Sequence, residues 1–173
     1  MNDNTNKIIP KRKRNRLKEF DYSQNGMYFV TICIKDKEKI LWNDKFDNNI
    51  VGANCVRPLS DLPLSEYGMI IKNEIEKISQ IYNGIIKIET FIIMPNHIHL
   101  LFFIDTYGRT QFAPTLSRVV KQFKGSVTKQ IGKPIFQKSF HDHIIRDDED
   151  YKKIYNYIES NPSLWTEDCF YIE

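Results

Sequence analysis

Two apolar runs separated by a two-residue turn constrain the fold of this chain more than any other feature of its sequence. Residues 85–94 and 97–104 are rich in β-branched and aromatic side chains, which favour strands. Pro95 and Asn96 between them are typical turn residues. The sequence therefore predicts an antiparallel hairpin, and a chain that contains one must build a sheet around it.

His97 and His99 lie two positions apart in the second strand of this hairpin. Side chains alternate across a strand, so both imidazoles point to one face of the sheet. Neutral imidazole binds several divalent ions, and the pair is a candidate metal site. Two exposed histidines on a polar strand face are the alternative interpretation. His141 and His143 repeat the same spacing, so the spacing alone does not decide between the two.

The remaining periodicity predicts an α+β fold with an antiparallel sheet and helices packed on one face. Residues 35–60 are polar and interrupted by Gly52 and Pro58, and they predict short strands or an irregular excursion. The predicted elements are a strand at 27–34, an amphipathic helix at 65–82, a helix with a basic face at 114–131, an extended segment at 136–145, and a helix from Asp147 to Asn161, before Pro162.

Composition is that of an ordinary globular protein of 173 residues, long enough for one domain. The three cysteines are widely spaced and form no CxxC pair, which predicts free thiols and a cytoplasmic protein. We expect residues 1–19 to form a flexible basic arm and residues 20–173 to form the domain. The arm is either a solvated tail or a surface for DNA phosphates through Lys11, Arg12, Lys13, Arg14 and Arg16.

Four segments resemble those of a known family. FIIMPNHIHLLFFI resembles the histidine–hydrophobic–histidine signature of the single-tyrosine HUH transposases, which include insertion-sequence transposases and REP-associated tyrosine transposases. FHDHIIRDDEDYKKIYNYIESNPSLW resembles the family's C-terminal block, in which a helix carries a nucleophilic tyrosine shortly before Asn-Pro. RLKEFDYSQNGMYFVTICIKD and PTLSRVVKQFKGSVTKQI resemble its opening strand and middle helix. The segments follow the family's order over most of residues 16–165.

The resemblance implies a ferredoxin-like (RRM-like) sheet and a DNA-cleaving and joining transposase. Alignment on Tyr-Ile-x-x-Asn-Pro selects Tyr157 as the nucleophile that forms a 5′-phosphotyrosine, and Tyr151 and Tyr155 are then packing residues. The implied cofactor is Mg²⁺ or Mn²⁺, and the implied partner is single-stranded or hairpin DNA, bound by a monomer or a homodimer. The implied metal ligands are His97, His99 and Asn161.

Asn161 has an alternative role as a helix C-cap. Arg118, Lys121 and Lys124 on the basic helix are candidate DNA contacts, although such a face can also be merely solvated. Two other functions remain open: a replication-initiator or relaxase nuclease with the same histidine chemistry, and a non-catalytic nucleic-acid-binding module. The sequence identifies no base for Tyr157.

Overall fold

The computed structural model describes residues 24–43, 62–105 and 114–172. The predicted arm, at residues 1–19, lies outside this part of the chain, as does most of the polar stretch that was predicted to be irregular. Within the described residues the elements are β1 (Gly26–Cys33), α1 (Glu66–Ile81), β2 (Ile86–Ile93), β3 (His97–Ile104), α2 (Leu116–Ile131), β4 (His141–Ile145) and α3 (Asp148–Ser160). Short 3₁₀ turns occur at Lys35–Lys37 and Asn161–Glu167.

The four strands form one antiparallel sheet in the order β2-β3-β1-β4. This order, with the chain sequence βαββαβ, is the ferredoxin-like topology. The predicted α+β class and hairpin are therefore confirmed. β3 is a central strand, paired with β1 and β2, and its register places His99 opposite Thr31 and His97 opposite Cys33.

The helices divide between the two faces of the sheet. α1 and α2 pack against the face that carries Tyr28, Ile98 and Phe102, and they form the larger core there. The sequence predicted all helices on that side, but α3 packs on the opposite face, where its Ile158 meets Leu101 of β3. The reason is that β3 carries apolar side chains on both faces, so the second face also needs a cover.

Local sequence explains where each helix begins. Ser65 caps α1 by accepting a hydrogen bond from the backbone N–H of Gly68. Gly68 itself is required by packing, because a Cβ there would collide with the carbonyl oxygen of Leu41. Thr115 and Asp147 cap α2 and α3 in the same way. No helix in the described ranges is long and apolar enough to cross a membrane.

The chain does not leave the domain after α3. The α-helix ends before Pro162, as predicted, but the backbone continues as a 3₁₀ turn and then folds back over the sheet. We call residues 161–172 the C-terminal segment. The Asn96 Nδ2 donates to the carbonyl oxygen of Phe170 at 2.9 Å, and the Lys39 Nζ donates to that of Ile172 at 2.9 Å. The first bond holds the segment against the β2–β3 turn, and the second holds its end against the stretch that follows β1.

Candidate active site

The two histidines of β3 lie on the face opposite to α1 and α2, and they are completely covered. His97 is 0% exposed and His99 is 1% exposed. Their Nε2 atoms lie 3.0 Å apart and point at one another. Two nitrogen lone pairs repel each other at this distance unless a proton or a cation lies between them. The two Nε2 atoms are therefore placed to bind one metal ion together.

The hydrogen bonds at the Nδ1 atoms indicate which ring nitrogen carries the proton. The His97 Nδ1 lies 2.8 Å from the Asn96 Oδ1, and the amide nitrogen of Asn96 is already used on the Phe170 carbonyl. An amide oxygen only accepts, so the His97 Nδ1 carries the proton and its Nε2 keeps a free lone pair. The His99 Nδ1 lies 2.8 Å from the Thr31 Oγ1, a hydroxyl that can donate or accept.

Burial keeps both imidazoles neutral, which is the form that binds a metal ion. Loss of solvation lowers the pKa of His97 to about 4, although the nearby Asp168 carboxylate opposes this shift. Burial also lowers the pKa of His99 well below its usual value, with a further contribution from His97. At neutral pH neither ring carries the second proton that would prevent metal binding.

Of the three tyrosines in α3, only Tyr157 reaches this site. Its hydroxyl donates to the Asp168 Oδ2 at 2.9 Å and lies 3.3 Å from the His99 Nε2. Burial raises the pKa of Tyr157, and the hydrogen bond to Asp168 raises it further. Tyr151 and Tyr155 pack against the apolar cluster between α3 and the sheet, with their rings 5.8 Å apart, and Tyr151 donates to Glu89.

Asp168 is the residue that the sequence analysis missed. Its side chain is 1% exposed, and its Oδ2 also accepts from the Asn161 Nδ2 at 2.7 Å and lies 4.0 Å from the His97 Nε2. The Oδ1 accepts from the backbone N–H of Phe170 at 2.6 Å. No local pattern marks this aspartate, because only the backward fold of the C-terminal segment brings it to β3.

These side chains fit a divalent cation. The ligand atoms of His97, His99 and Asp168 all lie within 4.8 Å of one another. Asn161 is also buried, and its Oδ1 has no hydrogen-bond partner, although such an atom is rarely left without one. Two neutral imidazoles, a carboxylate and an amide oxygen form a donor set suited to a borderline or hard ion. The structure thus brings His97, His99, Asn161 and Tyr157 together around Asp168.

An aromatic cover closes the site from outside. The ring of Phe170 lies 4.7 Å from that of His97 and 6.1 Å from that of His99, and the ring of Trp165 lies 5.9 Å from that of His97. Both aromatic residues belong to the C-terminal segment. This segment covers His97. His99 is also covered by Phe29 of β1 and by Tyr157 of α3, whose ring centroids lie 5.1 Å and 5.2 Å from that of His99.

The predicted DNA contacts do not lie at this site. Arg118 and Lys121 are exposed on α2, across the sheet from the histidines. Lys124 is half-buried, and its Nζ donates to the carbonyl oxygens of Gln137 and Ser139, so it fastens the approach to β4 rather than facing solvent. Burial lowers the pKa of Lys124 to about 8. The basic residues of the arm lie outside the described residues.

Two proteins of Haemophilus influenzae are similar to the chain over most of its length. An uncharacterized protein is 31% identical over 186 residues, covering 95% of this chain and 96% of its own length. A "Putative REP-associated tyrosine transposase" is 27% identical over 152 residues, covering 82% of this chain and 73% of its own length. The match to this transposase fits the family that the four sequence segments resemble.

The fold agrees with a solved structure of this family. A REP-associated tyrosine transposase bound to a REP hairpin superposes with a TM-score of 0.56 at 21% identity, covering 85% of this chain and 72% of that one. At this identity the likeness concerns the fold. No protein-family model matches the chain.

Proposed function

We propose that the chain cuts and rejoins single-stranded DNA through a covalent bond to Tyr157. A divalent cation, Mg²⁺ or Mn²⁺, would be held by His97 and His99 together with Asp168 and Asn161. One observation carries the proposal: the Tyr157 hydroxyl and the histidine pair share the carboxylate of Asp168. A nucleophile, a proton acceptor and a set of metal ligands therefore meet at one point.

Asp168 supplies the base that the sequence left open. The raised pKa of Tyr157 keeps the phenol protonated at rest, and its proton already points at the Asp168 Oδ2. During attack the proton passes to this oxygen while the tyrosine oxygen bonds to phosphorus. The bond from phosphorus to the 3′ oxygen breaks, and that oxygen leaves as a hydroxyl after taking up a proton. The products are a 5′-phosphotyrosine and a free 3′ end.

When bound, the cation would offset the negative charge of the phosphodiester and polarise it. The resemblance implied neutral protein ligands only, and Asp168 adds one negative charge to that set. A phosphate that approaches Asp168 without a counter-charge would be repelled by it. The residues around Tyr157 thus make the reaction depend on a metal ion.

The covered imidazoles set a condition for this reaction. Phe170 lies against His97, which is 0% exposed, so we expect Phe170 to move before a phosphate reaches the ligand atoms. The C-terminal segment must therefore shift at its end while Asp168 stays near Tyr157. The REP hairpin bound by the solved relative supports hairpin DNA as the substrate of this chain too.

The decisive experiment detects the covalent product. A DNA hairpin with a single-stranded flank, labelled on the strand 3′ of the cut, is incubated with protein and Mn²⁺ and resolved on a denaturing gel. Wild type and Tyr155→Phe should form a protein–DNA adduct, and Tyr157→Phe should form none while still binding DNA. An adduct in Tyr157→Phe, or cleavage without an adduct in wild type, would show that the proposal is wrong.

A further inference from the structure

A groove follows the outer side of β2, which is an edge strand of the sheet. α1 borders the groove on one face of the sheet through Ser79, and α3 borders it on the other face through Ile158. Ile88 and Phe91 of β2 also line it, and the cavity measures about 410 Å³. We call this cavity the β2 groove. The histidines and Tyr157 are not among its lining residues, so the proposed chemistry does not use it.

Three carboxylates line the β2 groove, one from each of the elements that form it. Glu76 belongs to α1, Glu89 to β2 and Glu159 to α3. Glu89 accepts a hydrogen bond from the hydroxyl of Tyr151, and Glu159 accepts one from that of Thr90, so both donors are neutral. Within the described ranges, no lysine or arginine lines the groove or forms an ion pair with these carboxylates. The groove therefore suits a cationic occupant.

The edge of β2 favours an extended segment that is held by its side chains over a strand of a second sheet. A β-bulge between Ile88 and Thr90 interrupts the regular spacing of β2. The backbone N–H of Ile88 already donates to the Ser79 Oγ at 3.4 Å, and the Ile93 carbonyl oxygen accepts from the Trp42 Nε1 at 2.7 Å. A bulge and occupied backbone groups both discourage edge-to-edge pairing with a second copy of the sheet.

The chain itself contains a segment with the required charge. Residues 11–18 lie outside the described residues and carry six cations, Lys11, Arg12, Lys13, Arg14, Arg16 and Lys18. Gly26 of β1 and Ile86 of β2 both pair with Ile104, so the chain enters β1 at the end of the sheet where β2 begins. The outer side of β2 lies about three strand spacings from Gly26, or roughly 14 Å. Residues 19–25 can span up to about 23 Å.

We propose that residues 11–18 bind in the β2 groove of their own chain and that DNA phosphates displace them from it. Eight extended residues reach about 26 Å, which matches the length of the eight-residue strand β2. The carboxylates of the groove take the place of phosphates as partners of the arm. DNA offers many more anionic groups than the groove does, so the arm moves to DNA when DNA is present. The inference concerns the arm and does not depend on the chemistry at Tyr157.

A carbodiimide joins a carboxylate directly to an amine, and it tests this contact in the full-length protein without DNA. Mass spectrometry should find arm lysines linked to Glu76, Glu89 or Glu159, and added DNA should abolish these links. In a mixture of isotope-labelled and unlabelled protein, the links should join residues of one chain only. Links between chains would mean that the groove takes the arm of a second copy. That result, or the absence of any link to the groove, would overturn the inference.

DNA affinity gives a second test, measured by fluorescence anisotropy with a labelled single-stranded oligonucleotide. The triple variant Glu76→Gln/Glu89→Gln/Glu159→Gln should free the arm and tighten DNA binding about fivefold at low salt, and the gain should vanish at high salt because exposed ion pairs are screened. Glutamine keeps an acceptor oxygen for the hydroxyls of Tyr151 and Thr90, so the fold should be retained. Thermal melting checks this.

Deletion of residues 1–18 separates the arm from a general effect of charge. Without the arm, the triple variant should gain less than about twofold in DNA affinity, because only long-range repulsion of phosphates is relieved. The matched control removes three exposed carboxylates outside the groove, in Glu38→Gln/Glu149→Gln/Glu167→Gln, and should show only this small gain with or without the arm. A fivefold gain in the triple variant that lacks the arm would mean that the groove repels DNA directly, and the inference would be wrong.

Discussion

Asp168→Asn is the substitution that tests most directly whether the C-terminal segment supplies a metal ligand. The buried carboxylate accepts three hydrogen bonds, from Tyr157, Asn161 and the backbone N–H of Phe170. An amide of the same shape must turn its NH₂ toward Asn161 or toward Phe170, so one buried donor faces another, at a cost of about 1–3 kcal/mol. Removal of a buried charge offsets part of this cost. The stability of the metal-free variant should therefore change little.

Asp168→Asn should weaken metal binding, and this effect should be larger than its effect on the stability of the metal-free protein. We expect loss of this ligand to weaken Mn²⁺ binding about 100-fold, equivalent to about 2.7 kcal/mol. At a Mn²⁺ concentration 100 times the wild-type Kd, the ion stabilises wild type by about 2.7 kcal/mol, which corresponds to a Tm increase of about 5–10 °C. The variant should gain only about 0.4 kcal/mol, or roughly 1 °C.

Differential scanning fluorimetry with and without Mn²⁺ measures this difference, and isothermal titration gives the affinities. Glu167→Gln, an exposed neighbour with the same change in charge, is the control and should keep the full Tm increase. If Asp168→Asn showed the same increase as wild type, Asp168 would be no ligand. The metal site would then consist of the histidines and Asn161 alone.

Three further predictions follow from the burial of the site and from the charge of the arm. Phe170→Ala should uncover the imidazoles and speed adduct formation, whereas Leu164→Ala, at an exposed position of the same segment, should not. Burial holds the pKa of His97 at about 4, below its value of about 6.5 in the unfolded chain, so stability should fall as the pH drops from 6.5 to 5; a urea midpoint that stays flat over this range would contradict the buried neutral pair. Deletion of residues 1–18 should weaken DNA binding for all sequences alike and flatten its salt dependence, and a change in sequence preference at constant slope would argue against phosphate contacts.

Local patterns were sufficient to predict the elements and the two faces of β3. The Pro95-Asn96 turn predicted the hairpin, and the alternation of side chains placed His97 and His99 on one face, because both depend only on neighbours in sequence. The face on which α3 packs was not predictable in this way. It depends on how much apolar surface the assembled sheet leaves open, and no stretch of sequence records that quantity.

The site shows the same limit more sharply. Asp168 lies 69 positions after His99, and the two meet only because a 3₁₀ turn after Asn161 reverses the chain. Lys124 is a second example. A lysine on the basic face of a helix is predicted to be an exposed cation. Its ammonium group is instead taken up by two backbone carbonyls of a segment that arrives later in the chain. Contacts of this kind are properties of the tertiary fold.

We expect almost every substitution of Asn96 to impair the protein in a mutational scan. Its amide oxygen sets the tautomer of His97, and its amide nitrogen holds the backbone of Phe170. Aspartate offers no donor, alanine offers neither group, and glutamine is one methylene too long for a buried turn. The amide of Asn96 thus sets which nitrogen of His97 is unprotonated, and it also holds Phe170 in position over the site. Among the twenty amino acids, only asparagine combines these properties. We therefore expect position 96 to vary far less among related sequences than the apolar positions of the neighbouring strands.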